Sequence, residues 1–178
     1  MTHVTSEVLL IGGRAGVGKS TTGHEVHILL TQAQVHHCLI EGDNLDMAYP
    51  TPWEHKLAEK NLAAMWRNYR ALGHARLIYT NTVSVTACDE ISAAMGDEPR
   101  VIGVLLTCSD QTARQRLAAR EIGNALEWHV QRSDRMAREL DSTVPAWVHR
   151  VPTDDRSVSV VAQEVVTLTG WLSAPAPQ

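Results

Sequence analysis

Short unbroken apolar runs alternate along this chain with longer stretches in which apolar residues recur every three or four positions. The first run, Val8-Leu9-Leu10-Ile11, is bounded closely on both sides and predicts a strand buried on both faces. From Lys19 to about Gln34, Val26, Leu29, Leu30 and Ala33 share one stripe of a helix. His37 to Ile40 predicts a second strand, and Trp53 to Leu72 a helix with Leu57, Leu62, Met65, Trp66 and Tyr69 as its apolar candidates and Gly73 as its cap. Leu77 to Tyr79 follows as a third strand and Ser84 to Met95 as a helix. The turn Gly96-Asp97-Glu98-Pro99 then leads into Val101 to Leu106, the most apolar strand. Ser109 or Asp110 caps a helix from Gln111 to Ile122 that breaks at Gly123-Asn124. A further helix is expected from Ala125 to about Leu140, a fifth strand at Val148 to Val151 and a closing helix from Val158 to Leu172. Strands alternating with helices predict a three-layer α/β fold, a five-stranded parallel sheet covered by helices on both faces. Ligands of such sheets gather at the carboxyl ends of the strands.

The segment joining the first strand to the first helix reads Gly13-Arg14-Ala15-Gly16-Val17-Gly18-Lys19-Ser20 and fits the phosphate-binding (Walker A) pattern G-x-x-x-x-G-K-[ST]. Glycines allow the tight turn, and successive N–H groups at the helix start converge on an anion. Amides around Ala15 to Ser20 are expected to surround the β-phosphate of ATP, with Lys19 reaching the β- and γ-phosphates and the Ser20 hydroxyl ligating Mg²⁺. Arg14 has two readings, a phosphate contact or an exposed loop arginine. Thr21 is a weaker nucleotide-binding candidate, and Thr21 and Thr22 either cap the helix or occupy its first turn. The competing reading of the whole segment is a glycine-rich turn without a ligand.

Glu41-Gly42-Asp43-Asn44 follows the second strand and projects toward the same sheet edge. Asp43 is the candidate general base, placed to take a proton from an acceptor hydroxyl, to orient it, or to hold magnesium through water. An Asx turn is the structural alternative, and Glu41 and Asp46 are reserve carboxylates. The third strand ends in Tyr79-Thr80-Asn81-Thr82 without the aspartate that many phosphate-loop proteins use to hold magnesium, a role open to Asp43. Cys88-Asp89-Glu90 is similar to such an ending, but Ser84 and Thr86 interrupt the apolar run that should precede it, so a helix is the better reading.

The 178 residues, 44% of them hydrophobic, suit a single domain over 1–173 with a flexible tail at 174–178. A net charge of −4 argues against general nucleic-acid binding. Lysine occurs only at Lys19, Lys56 and Lys60, so guanidinium groups carry most of the positive charge. Cys38, Cys88 and Cys108 fit neither a disulfide framework nor a zinc site, and the histidines, including His24, His27, His36 and His37, lack companions for a ligand set. With no membrane-spanning or leader-like stretch, a cytoplasmic protein, monomer or homodimer, is expected.

From Gly13 through Glu41-Gly42-Asp43-Asn44 to the closing helix, the chain resembles the small P-loop kinases, the group of adenylyl-sulfate, gluconate, shikimate and chloramphenicol kinases. The wording is most similar to the adenylyl-sulfate kinases, which read Asp-Gly-Asp-Asn after the second strand. Glu41 stands here for the first Asp, and Leu45-Asp46-Met47 lack the expected basic substrate contact. The resemblance implies an ATP- and Mg²⁺-dependent kinase acting on a hydroxyl or phosphate of a small molecule, with a small helical lid at about 111–140. Within Arg114-Gln115-Arg116-Leu117-Ala118-Ala119-Arg120-Glu121, it implies that Arg116 stacks on adenine and Arg120 reaches the triphosphate and aids catalysis. A salt-bridged helix face with Glu121 or Glu127 is the alternative, and Arg132, Arg135 and Arg138 extend the basic face. Thr153-Asp154-Asp155 matches a loop beside adenine or forms a polar turn. Trp53, Trp66, Tyr69 and Trp128 lie on segments that cover the acceptor pocket, or serve the core. A nucleotide-dependent ATPase or switch is the rival function. A GTPase is disfavoured because neither Asn-Lys-x-Asp nor Asp-x-x-Gly occurs, and a nucleic-acid end kinase is a third reading.

Overall fold

A computed structural model describes residues 5–120 and 126–173; the expected Gly123-Asn124 break, the candidate partner Glu121 and the tail at 174–178 lie outside them. The first apolar run becomes β1 (Glu7–Gly12), the centre of a five-stranded parallel sheet. Around it stand β2 (Cys38–Glu41), β3 (Arg76–Thr80), β4 (Arg100–Thr107) and β5 (His149–Pro152), in the order β2-β3-β1-β4-β5. Ile11 pairs with Thr80 on one side and Val104 on the other, so the carboxyl ends of β1, β3 and β4 finish close together.

Alternation within β1 separates two cores. Leu9 and Ile11 pack with Val26 and Leu30 of α1 (Lys19–Gln32) and with Val161, Val165 and Val166 of α6 (Val158–Thr169). Val8 and Leu10 pack on the other face beneath α2 (Leu57–Ala71), α3 (Cys88–Met95) and the far end of α5 (Leu126–Thr143). Each such side chain taken fully from water contributes roughly 1.5–3 kcal/mol, which is why the central strand carries no polar position between Val8 and Ile11. The remaining helix, α4 (Asp110–Ala118), follows β4 and lies against α5.

The elements match the expected order, and several boundaries move, among them the end of the helix after the fourth strand, which stops at Ala118. The second helix begins at Leu57 rather than Trp53, because Lys56 adopts φ 49° and separates it from a short 3₁₀ turn at Trp53–His55. The third helix begins at Cys88 rather than Ser84, since Ser84 N and Thr86 N are held by the carbonyls of Asn81 and Val83 in a turn. The last helix ends at Thr169, where Gly170 takes φ 70° and swings Trp171 back into the core. Cys88-Asp89-Glu90 is the first turn of α3 and not the end of a strand. Among the described residues no helix is long and apolar enough to cross a membrane.

Candidate active site

The phosphate-loop segment leaves the central strand and turns back into α1 through three glycines of positive φ. At Gly13, φ 142°, an added Cβ would stand 2.7 Å from the Leu106 carbonyl oxygen, and at Gly16, φ 82°, 2.9 Å from that of Ala113. Side chains are therefore excluded on both conformational and steric grounds. Gly18, φ 102°, precedes the helix, whose first-turn N–H groups have no intrahelical acceptor and open toward solvent. They face a hollow of about 320 Å³ lined also by Lys19, Ser20, Asp43, Arg120 and His129. Lys19 Nζ donates to the Arg14 carbonyl at 3.2 Å. Burial pulls its ammonium below the usual lysine range; Asp43 opposes that shift, Arg120 adds to it and Glu41 opposes it again. Ala15 and Thr21 border the hollow, while the Val17 side chain points into the core.

Two carboxylates lie at and just after the end of β2: Asp43 lines this hollow, and Glu41 is joined to it through Ser20. Ser20 Oγ donates to Glu41 Oε2 at 2.9 Å. The other oxygen, Oε1, is buried without a hydrogen bond; His24 Nδ1 stands 3.5 Å away but is engaged by the Ser20 carbonyl at 2.8 Å. Asp43 sits in a 3₁₀ turn, Gly42–Asn44, and its Oδ1 accepts from Asn81 Nδ2 at 2.7 Å. Asn81 is fixed in turn by the Val83 N–H, which donates to its Oδ1 at 3.0 Å. The residue that stands where an aspartate was missing after β3 thus orients the carboxylate in the turn after β2.

Two arginines of this region are held by protein partners, and for Arg14 these exclude both of its expected readings. Arg14 is neither at the phosphate hollow nor exposed: with 3% of its side chain accessible, it forms ion pairs with Asp110 and Asp134 and donates from Nε to Ser133 Oγ at 2.9 Å. Ser133 Oγ donates to the Ala15 carbonyl at 2.9 Å, so one guanidinium and one hydroxyl tie the loop to both α4 and α5. Arg116 donates to the Val17 carbonyl at 3.1 Å, to Thr153 Oγ1 at 2.9 Å and to the Thr153 carbonyl at 3.0 Å. Its guanidinium edge is bound to backbone, while it lines a second cavity of about 320 Å³ that Gly18, Thr21, Arg120 and Thr153 share. Arg120 is exposed at the junction of this cavity and the phosphate hollow. Asp154 binds the N–H and Oγ of Ser109, at 3.0 and 2.9 Å, and Thr112 Oγ1 at 2.5 Å; these hydrogen bonds, that of Thr112 foremost, hold its carboxyl below the usual range. It caps α4 alongside Ser109. Arg114 pairs with Glu127 at 2.7 Å, the salt-bridged alternative for that face.

Beyond Asp43 lies a third cavity, of about 450 Å³, with Asp46 and Trp53 on one side and Arg132, Ser133 and Met136 of α5 on the other. Ala15, Asp43, Thr82 and His129 border both this cavity and the phosphate hollow. Trp53 is 69% exposed beside it, whereas Trp66 is fully in the core and Tyr69 packs against it. Trp128 is exposed, with the Arg132 guanidinium 5.4 Å from its ring centroid. Sequence reasoning passed over Asn81, Thr82, His129 and Ser133. The first two had a usable signal, their place at the carboxyl end of a central strand; the latter two are spaced one turn apart on α5, a signal hidden by the neighbouring arginines.

No protein-family model matches the sequence, and none of the curated proteins does. Solved structures share the fold. The tunicamycin resistance protein of Deinococcus radiodurans is similar over 93% of this chain and 96% of its own, with TM-score 0.63 and 20% identity. The APS kinase of Mycobacterium tuberculosis, solved with AMPPNP and APS, is similar over 93% and 98%, with TM-score 0.60 and 19% identity. A gluconokinase of Sinorhizobium meliloti covers 94% and 91%, with TM-score 0.58 and 14% identity. The chain has the fold of the small P-loop kinases.

Proposed function

We propose that the protein is an ATP-dependent kinase that transfers the γ-phosphoryl group to a hydroxyl of a small molecule. The observation that carries this reading is the junction of two hollows at Ala15, Asp43, Thr82 and His129, one lined by the loop with Lys19 and Arg120, and both bordered by the Asp43 carboxylate. A switch protein that only hydrolyses nucleotide has no use for the second hollow.

Each group has a part in such a transfer. The loop amides and the α1 N-terminus bind the polyphosphate, and Lys19 and Arg120 offset charge on its transferring end. Lys19 enters this role partly desolvated, which strengthens its attraction for an anion. Asp43, held by Asn81, orients the acceptor hydroxyl and takes its proton. The loop carbonyl of Val17, clamped by Arg116 and Thr153, fixes the turn on the base side of the nucleotide, and the α4–α5 hairpin serves as the lid.

Ser20 and Glu41 suit a hard cation. A buried carboxylate oxygen that makes no hydrogen bond, together with the neighbouring hydroxyl, is a fitting pair of ligands for Mg²⁺, which would take phosphate oxygens and water for the rest of its shell. Magnesium, when bound, neutralises charge on the β- and γ-phosphates. Glu41 is thus preferred to Asp43 for the metal, leaving Asp43 for the proton. Transfer of label from [γ-³²P]ATP across nucleosides, sugars, amino sugars and hydroxy acids tests the proposal, and rapid hydrolysis with no labelled product supports the ATPase or switch reading instead.

A further inference from the structure

The cavity beyond Asp43 adjoins a further space of about 190 Å³ beneath α2 and α3, with Asp46, Asn81 and Val83 bordering both. The floor of this annex is apolar, made by Ala58, Leu62 and Ile91, and its polar side chains are Asp46, Glu59, Glu90, Tyr79 and Asn81, the last already engaged with Asp43. No lysine, arginine or histidine lines it. Among the described residues none of the three carboxylates forms an ion pair or hydrogen bond through its side chain.

Tyr79 gives independent reason to place a ligand there. Its residue is 5% exposed, its hydroxyl lies 2.5 Å from where a Cβ on Gly42 would stand, and that hydroxyl makes no hydrogen bond among the described residues. Burial first, then the fields of Asp43, Asp46 and Glu59, pushes the phenol up to about 12, so it remains neutral and able to accept a hydrogen bond. Glycine at position 42 is what lets the ring approach this closely.

Three unpaired carboxylates around an apolar floor focus a negative potential. An anionic group is repelled from such a place, and a neutral hydroxyl leaves the charge uncompensated. An ammonium group, compact, positive and carrying several donors, satisfies the carboxylates and the phenol oxygen together. We infer that the phosphoryl acceptor is a small hydroxylated amine of amino-sugar or aminocyclitol size, its ammonium held in the annex by Asp46, Glu59, Glu90 and Tyr79 and its hydroxyl presented to Asp43. The inference rests on the kinase reading. In the transfer, the acceptor oxygen bonds to the γ-phosphorus as the bond to the β,γ-bridging oxygen breaks. The bridging oxygen keeps that electron pair on ADP, and Asp43 receives the hydroxyl proton. Trp53, at the outer wall, offers a ring face to the acceptor's carbon skeleton.

Matched compounds and charge-neutral variants test this. Label transfer from [γ-³²P]ATP is measured for glucosamine, kanamycin and 2-deoxystreptamine beside glucose, myo-inositol, gluconate and shikimate, with AMPPNP binding followed by calorimetry. The expected result is labelled product from at least one amine, and a KM for it about tenfold or more higher in Glu59→Gln/Glu90→Gln with kcat and AMPPNP affinity little changed. Tyr79→Phe, which removes only the hydroxyl, is expected to raise KM several-fold and serves if the double variant does not fold. Preference for gluconate, shikimate or a neutral polyol overturns the inference, as do an unaltered KM in the variants and the absence of any labelled amine from protein that binds AMPPNP. Failure to bind AMPPNP overturns the kinase reading itself.

Discussion

The phosphate hollow and the acceptor cavity are neighbours built of different material. One continuous stretch, Ala15 to Thr21, supplies the largest single share of the hollow's lining, and on the proposed reading main-chain amides do much of its binding. The cavity takes its walls from the turn after β2, the end of β3, the turn before α2 and the middle of α5, and on the proposed reading side chains from these separate elements would distinguish one ligand from another. A backbone site is specified by spacing, since glycine at fixed intervals determines where amides point. A side-chain site is specified by which distant elements the fold brings together, and many sequences can build similar shapes.

Substitutions can separate the two halves. Lys19→Ala should have the largest effect, lowering turnover by roughly 10²–10³-fold or more by analogy with the loss of a single charge-stabilising donor, and weakening Mg-ATP binding as well. Label-transfer kinetics with calorimetry would show both losses. Asp43→Asn should lower transfer by about 10²-fold while AMPPNP binds as before, because its part is played toward the acceptor. A matching fall in nucleotide affinity would erase the distinction between the halves.

Gly16→Ala attacks the backbone alone. With φ 82° and the Ala113 carbonyl 2.9 Å from the new methyl, strain of about 1–3 kcal/mol is expected, read as an earlier denaturation midpoint together with weaker AMPPNP binding. Asn81→Ala removes the donor to Asp43, and loss of one hydrogen bond worth about 1 kcal/mol corresponds to a several-fold fall in turnover with no change in nucleotide affinity.

The smallest effect lies away from both halves. Burial foremost depresses the His37 pKa, with the His27 and His74 rings acting in the same direction. The folded chain therefore takes up this proton less readily than the unfolded one. The stability this contributes is complete above the ordinary histidine range and is lost as pH falls through the depressed value. Denaturation between pH 7 and pH 5 should show a shallower decline for His37→Gln than for the parent protein.

Reading the sequence alone recovers whatever is local. The strand of Val8 to Ile11, the loop after it and the helix start at Lys19 follow from consecutive residues, and all five strands could be placed from short apolar runs. Arg14 could not be placed this way. Its partners Ser133, Asp110 and Asp134 lie 119, 96 and 120 positions along the chain, so nothing near it distinguishes a phosphate contact from a buried ion pair. The start of α2 was misplaced for a subtler reason. Trp53 lies in phase with the apolar stripe, while the left-handed Lys56 that interrupts the helix carries no glycine or asparagine to announce itself. Glu41 was read as a reserve because its orphaned oxygen is a property of burial rather than of residue type.

Arg14 also joins α4 and α5 to one point of the loop. Its charge is shared between Asp110 at the root of one helix and Asp134 within the other, and Ser133 repeats the attachment through the Ala15 carbonyl. Parting these helices from the loop would break those contacts together, along with the hydrogen bonds that Arg116 of α4 makes to the Val17 carbonyl and to Thr153.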